Sequence, residues 1–145
     1  NAYGRFRPHA LAPQAVVWGR DNRGALLRVV GRAGDGATHI ENRLGEPAAN
    51  PYLTMAAHVH AGLDGLHRAV VPPPATQAPY GGQGETLPGT LAAALAALGD
   101  DAAMRRGLGD DVVDWFTRLK SSEVNRHEAA EDKAEWDRRE YFGRL

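Results

Sequence analysis

The sequence predicts an α+β chain with antiparallel strands first and a helical region after, and three observations carry this. Short β-branched and apolar runs, "AVVW" and "ALLRVV", stand in the first third. Apolar positions at helical spacing begin at Tyr52, and a single Pro/Gly-rich stretch interrupts them.

"AVVW" (15–18) and "ALLRVV" (25–30) read as strands, and the polar "GRDN" between them reads as a hairpin connection. "GRAGDGA" (31–37) is a second loop, and "THIENRL" (38–44) a third strand. Alternation puts His39, Glu41 and Arg43 on one side of that strand and Ile40, Asn42 and Leu44 on the other. Asn50 is a good N-cap and Pro51 suits the first helical position, so a helix is expected over 50–70. Its apolar stripe is Tyr52, Met55, Ala56, Val59, Leu63 and Leu66.

"VPPPATQAPYGGQGETLPG" (71–89) is a loop. Its "YGGQG" follows prolines rather than a strand and lacks a Walker lysine, so a surface linker is expected rather than a phosphate cradle. Residues 90–145 are expected to be helical: Thr90 caps "LAAALAAL", with Gly99 ending it, and Asp100–Asp101 and Asp110–Asp111 start two further helices. The longer of these carries Val112, Trp115, Phe116, Leu119 and Val124 as its stripe, and Trp136, Tyr141 and Phe142 are the expected anchors of the charged tail.

With 145 residues and 43% apolar content the chain can build a real core. A net charge of −1 gives no global drive towards nucleic acid or membrane, and no partner of either kind is expected. The charge is unevenly spread: residues 1–43 hold seven arginines against three acids, while residues 100–145 hold twelve acids against nine bases. Only two of the seventeen bases are lysines, so the basic part is built from the residue suited to bidentate contacts with carboxylate and phosphate. The absence of cysteine removes disulfides, thiolate metal sites and thiol nucleophiles. The longest apolar run, 91–98, is far short of a membrane span, and a cytoplasmic location is expected. A chain that begins at Asn inside a patterned segment is expected to be a piece of a longer protein.

The histidines give little support to a metal site of their own. His58 and His60 lie roughly 200° apart around a helix. His60 and Asp64 have chelating spacing, against which stands the plain reading of a polar helix flank. The arginines carry more. Arg28 sits among apolar neighbours and needs an anionic partner, Arg23 leads into the same strand, and Arg43 shares a face with Glu41. Two readings stay open: a structural salt-bridge network, or an anion-handling face with one carboxylate beside a divalent cation.

"NAYGRFRP" (1–8), "WGRDNRGALLRV" (18–29) and "HIENRLGEPAANPYLTMAAHVHAGLDGL" (39–66) resemble successive motifs of the C-terminal catalytic region of glutamine synthetases, and the helical tail is similar too. The resemblance covers essentially all 145 residues. It implies an ATP-dependent glutamate–ammonia ligase of nitrogen metabolism that forms a γ-glutamyl phosphate, with Mg or Mn as cofactor. It also implies a dodecamer-like homo-oligomer in the intact protein, and a fragment that is inactive by itself. By the same resemblance, Arg5 and Arg43 hold the glutamate carboxylate, Arg23 contacts the transferred phosphate, Arg28 binds nucleotide phosphates, and Glu41 ligates a metal ion. Such a site would gather the negative charge of the reaction against preorganised cations. One position departs: Leu11 stands where the family carries a flap glutamate, and an apolar side chain cannot hold or deprotonate ammonium. This is similar to relatives of the γ-glutamylpolyamine synthetase type, so a γ-glutamyl-amine ligase is the alternative. A non-catalytic homologue serving as a structural module is a third reading.

Overall fold

The computed structural model describes residues 2–6, 12–82 and 84–142. The chain forms two compact units. One comprises Ala2–Glu46 with Pro72–Gly89, the other Pro47–Val71 with Thr90–Leu145.

In the first unit a short 3-10 turn, Ala2–Arg5, precedes a three-stranded sheet ordered β1 (Trp18–Arg20), β2 (Leu27–Val30), β3 (His39–Asn42). β2 is central. It pairs antiparallel with β3, as expected, placing Arg28 opposite Glu41 and Val29 opposite Ile40. The expected hairpin between the first two strands is not formed: β1 runs parallel to β2, with Trp18 opposite Leu27. The reversal depends on Asp21, which takes a positive φ of 49° directly after β1 and donates its N–H to the Val29 carbonyl at 3.0 Å. The chain thus turns back on itself before β2 starts. The Asn22 side chain accepts from the Gly24 N–H at 3.1 Å and closes the turn.

The outer edge of β1 is covered by residues 73–76 of the Pro/Gly-rich segment, while Tyr80, Gly81, Gly82 and Gly84 are exposed, as expected of a surface stretch. Thr76 N–H donates to the Trp18 carbonyl at 2.8 Å, and the Trp18 indole donates to the Pro73 carbonyl at 2.6 Å. Gly24 is required here, since a Cβ at that position would lie 2.6 Å from Pro79 and 2.9 Å from Tyr80. Ala12, Pro13, Ala15, Ala25, Leu26 and Thr76 form the buried interior of this unit.

The second unit is helical: α1 (Pro51–His67), α2 (Leu91–Asp100), α3 (Ala102–Leu108), α4 (Asp110–Glu128) and α5 (Lys133–Tyr141). α1 packs on α3, and α4 packs on α2, α3 and α5. The caps of α1, α2 and α3 are those the sequence announced. Asn50 accepts from Tyr52 and Leu53 N–H, Thr90 from Ala93, and Asp101 from Ala103 and Met104. α1 ends at His67 rather than near Val70, because Ala69 takes a positive φ of 49°. Gly99 lies inside α2, which runs one residue further to Asp100.

The contact between α1 and α3 depends on a missing side chain. A Cβ on Gly107 would sit 2.4 Å from the His60 ring, so the helices meet at a distance only glycine permits. Beside it Asp64 accepts from Arg106 of α3 at 2.9 Å and from Arg68 at 3.2 Å, so Asp64 is used in ion pairs rather than chelating with His60. The apolar stripes are only partly buried. On α1, Tyr52, Met55, Val59, Leu63 and Leu66 are exposed. On α4, Val112, Trp115 and Leu119 are exposed while Val113 is buried. α5 is held by α4 through a bidentate Arg126–Glu140 pair, a His127–Trp136 edge contact at 5.1 Å, and the Tyr141 hydroxyl donating to Glu123. Phe142, the third expected anchor, is exposed instead. Among the described residues no helix is long and apolar enough to cross a membrane.

Candidate functional site

The site is built on the antiparallel pair β2–β3. Residues directly opposite in such a pair present their side chains on the same face. The register Arg28↔Glu41 therefore turns a guanidinium and a carboxylate towards each other, and the pleat adds His39 and Arg43 beside Glu41. Arg28 Nη1 lies 3.2 Å from Glu41 Oε2, Arg43 Nη1 lies 3.6 Å from the same oxygen, and His39 Nε2 lies 3.8 Å from Oε1. The face expected from alternation is thus formed, and it gathers three cationic or basic side chains around one carboxylate.

The other tine of the Arg28 fork is taken by Asp21, with Nη2 3.0 Å from Oδ1. Partial desolvation disfavours the charged Arg28 guanidinium, but hydrogen bonds to Glu41 and Asp21 outweigh it and hold its pKa above the ordinary value. Desolvation likewise opposes the Glu41 carboxylate. The Arg28 hydrogen bond and the charges of Arg28, Arg43 and His39 prevail, and its pKa is lowered. Glu41 is therefore ionised at neutral pH.

Arg43 is fixed by its backbone as well as its side chain: its N–H donates to the Leu26 carbonyl at 2.9 Å, and its Nε donates to the Arg23 carbonyl at 2.7 Å. Arg5, at the end of the N-terminal turn, donates to the carbonyl of Leu44, the residue after Arg43, and stacks over Phe6 at 5.1 Å. Its Nε is buried without a partner, as is that of Arg28. Arg23 contributes its backbone to this cluster while its own side chain stands exposed, with no ion pair among the described residues. All five residues singled out in the sequence thus lie in one unit: Arg28, Glu41 and Arg43 are in direct contact, Arg5 is tied to the next turn, and Arg23 is linked through its carbonyl. Leu11 lies outside the described residues.

Asp21 was not visible as a site residue in the sequence, where it reads as part of a turn. The one signal for it was chemical: an acid directly before Asn in a segment that leads to a strand arginine.

The donor set fits a divalent cation in part. Glu41 offers an ionised carboxylate. The Nδ1 of His39 lies 2.7 Å from the Ala37 carbonyl and must donate to it, which leaves Nε2 with a lone pair towards Glu41 when the ring is neutral. Among the described residues no group of three His, Cys, Asp or Glu is placed to hold a metal. A Mg- or Mn-like ion bound through one carboxylate, substrate phosphates and water is compatible with this supply.

In class, then, the chain is an α+β module whose paired strands β2 and β3 bring Arg28 and Glu41 together, with Arg43 beside them. Residues 1–141 match the family described as glutamine synthetase, catalytic domain. The chain is 42% identical to a gamma-glutamylanilide synthase of Acinetobacter, over all of its own length and 31% of that protein's. It is 36% identical to the gamma-glutamylethanolamide synthetase GlnA4 of Streptomyces coelicolor, over all of its length and 31% of that protein's. It is 35% identical to a glutamine synthetase of Thermus thermophilus, over 95% of its length and 33% of that protein's. A solved structure described as apo GmaS without ligand superposes with a TM-score of 0.76 at 30% identity, over 94% of this chain and 31% of that one. The chain belongs to the glutamine synthetase family, and it spans about a third of the length of the relatives it matches.

Proposed function

We propose that the protein is an ATP-dependent carbon–nitrogen ligase that activates the γ-carboxyl of glutamate and joins it to an amine larger than ammonia. The observation that supports it best is the Arg28–Glu41–Arg43 cluster, which lies within the stretch that matches the family. In this reading Arg5 and Arg43 hold the glutamate carboxylate, Arg28 and Arg23 face nucleotide and transferred phosphate, and Glu41 ligates Mg or Mn. The cation, when bound, neutralises phosphate charge. The residues of this chain orient the anions around it, with Arg43 held rigid by the Leu26 and Arg23 carbonyls.

For the acceptor, two features favour an amine over ammonia. Leu11 offers an apolar side chain where a carboxylate would bind ammonium. Two of the relatives are named for γ-glutamyl products of aniline and ethanolamine. A glutamate–ammonia ligase, the activity of the Thermus relative's name, is the second reading. The homo-oligomeric assembly and cytoplasmic location expected from the family belong to the same proposal.

The test supplies full-length protein with ATP, Mg or Mn, glutamate and a panel of ammonia, short alkylamines, ethanolamine, polyamines and aniline, with phosphate release and γ-glutamyl product as readouts. Turnover with an organic amine well above that with ammonia is expected, and the reverse order refutes the acceptor. Arg43→Ala should raise the KM for glutamate at least about tenfold, as loss of a charge-assisted contact to a carboxylate does. An unchanged glutamate KM refutes the role given to Arg43. No turnover with any amine and no nucleotide binding would support a non-catalytic homologue.

A further inference from the structure

Glu41 has two calls on it. As a cation ligand it must offer oxygens outward, yet both of its oxygens lie within 3.4 Å of Arg28. Turning Glu41 towards a cation would strip Arg28, whose side chain is only 16% exposed, of one counter-ion. A guanidinium left unpaired in such surroundings opposes the change.

We infer that Asp21 is a positioning residue that keeps Arg28 paired and in place when Glu41 turns to a divalent cation. The inference rests on the assignment of Glu41 as a cation ligand. Three observations carry it. The Arg28 fork is divided, with Nη2 on Asp21 and Nη1 on Glu41, so one partner can leave without the other. Asp21 is tied to β2 by its own backbone, since its N–H bonds the carbonyl of Val29, the residue after Arg28. Its backbone is thus bonded to the strand that carries Arg28 and not to the strand that carries Glu41. Finally, the Asp21 side chain is 72% exposed and contributes nothing to the interior, although its backbone sits at a φ of 49° that few residues other than glycine accept.

The positive φ supplies the clean variants. Asn tolerates this region at least as well as Asp, and Gly adopts it freely, so Asp21→Asn and Asp21→Gly remove the charge without forcing the backbone. Mn2+ is titrated into full-length protein with ADP and inorganic phosphate present and followed by electron paramagnetic resonance, for wild type, both Asp21 variants and Glu41→Gln, with melting temperatures recorded alongside. Both Asp21 variants are expected to bind Mn2+ about two- to fivefold more weakly, the range for an ion pair with one exposed partner. The loss should persist at about 0.5 M salt, where long-range fields are screened. A loss that vanishes at high salt reports only the distant charge and overturns the inference. Asp21 variants indistinguishable from wild type, beside a weakened Glu41→Gln, overturn it while sparing the Glu41 assignment. Wild type that takes up no Mn2+, or a Glu41→Gln that binds it unchanged, overturns that assignment and this inference with it.

Discussion

Replacing Tyr141 by Phe removes one oxygen and leaves the ring against Trp136, so the loss can be read as a single hydrogen bond. That hydroxyl donates to Glu123, a carboxylate only 6% exposed that also receives the Lys120 ammonium at 2.6 Å. A hydrogen bond to a charged group contributes about 1.5–3 kcal/mol. Lys120 still solvates Glu123 in the variant, which places the cost near the lower end, at about 1.5 kcal/mol, or roughly tenfold in a local equilibrium. α5 has nine residues and is held by α4, so the cost falls on its docking. Amide hydrogen exchange at pH 7 should show the amides of α5 exchanging roughly tenfold faster in Tyr141→Phe, with those of α2 little changed. The pH dependence has a definite sign. Burial pushes the Glu123 carboxyl up, but the hydrogen bonds from Lys120 and Tyr141 outweigh it and its pKa is lowered. A depressed carboxylate contributes stability that is fully present above its ordinary value of 4.5 and is lost as pH falls through the folded value. The difference between variant and wild type should therefore narrow below that pH. Equal exchange at pH 7, or a difference that grows on acidification, would refute the reasoning.

Three further substitutions test the helical unit. Gly107→Ala should destabilise it by about 1–3 kcal/mol in denaturant unfolding, because the new methyl meets the His60 ring. Adding His60→Ala should recover most of that loss, and a double variant no better than the single one would show that the close approach is not the cause. Asn50→Ala removes the acceptor of the Tyr52 and Leu53 N–H groups and should cost about 1 kcal/mol, read as a lower melting temperature.

Local chemistry was the legible part of this chain. The caps Asn50, Thr90 and Asp101 each satisfy backbone donors within three residues, so nothing distant was needed to foresee them. The Glu41 face followed from the two-residue period of a strand. What escaped was set at a distance. "GRDN" has good hairpin chemistry, and nothing local shows that Asp21 would take a left-handed conformation and make β1 parallel to β2. The attachment of residues 73–76 to β1 was hidden because the bonds to Trp18 that make it span 55 residues or more. The stripes of α1 and α4 were read correctly as apolar, but periodicity gives a face and not its cover. Glu123 and Glu140 sat in a stretch dense enough in charge to look solvated, yet pairing with Lys120, Tyr141 and Arg126 lets both be buried.

The cross-strand register of Arg28 and Glu41 has a consequence for how this chain can change over time. The eight residues between β2 and β3 may be lengthened or shortened with only a small, slowly growing entropic penalty, because the strands and not the loop fix which residues meet. One residue gained or lost inside either strand does something different in kind. It turns every following side chain to the opposite side of the sheet, so Val29 or Ile40 would stand where a charge is needed. The two strands behave like a reading frame, and length variation among descendants of this sequence should collect at 31–38 and stop sharply at Val30 and His39.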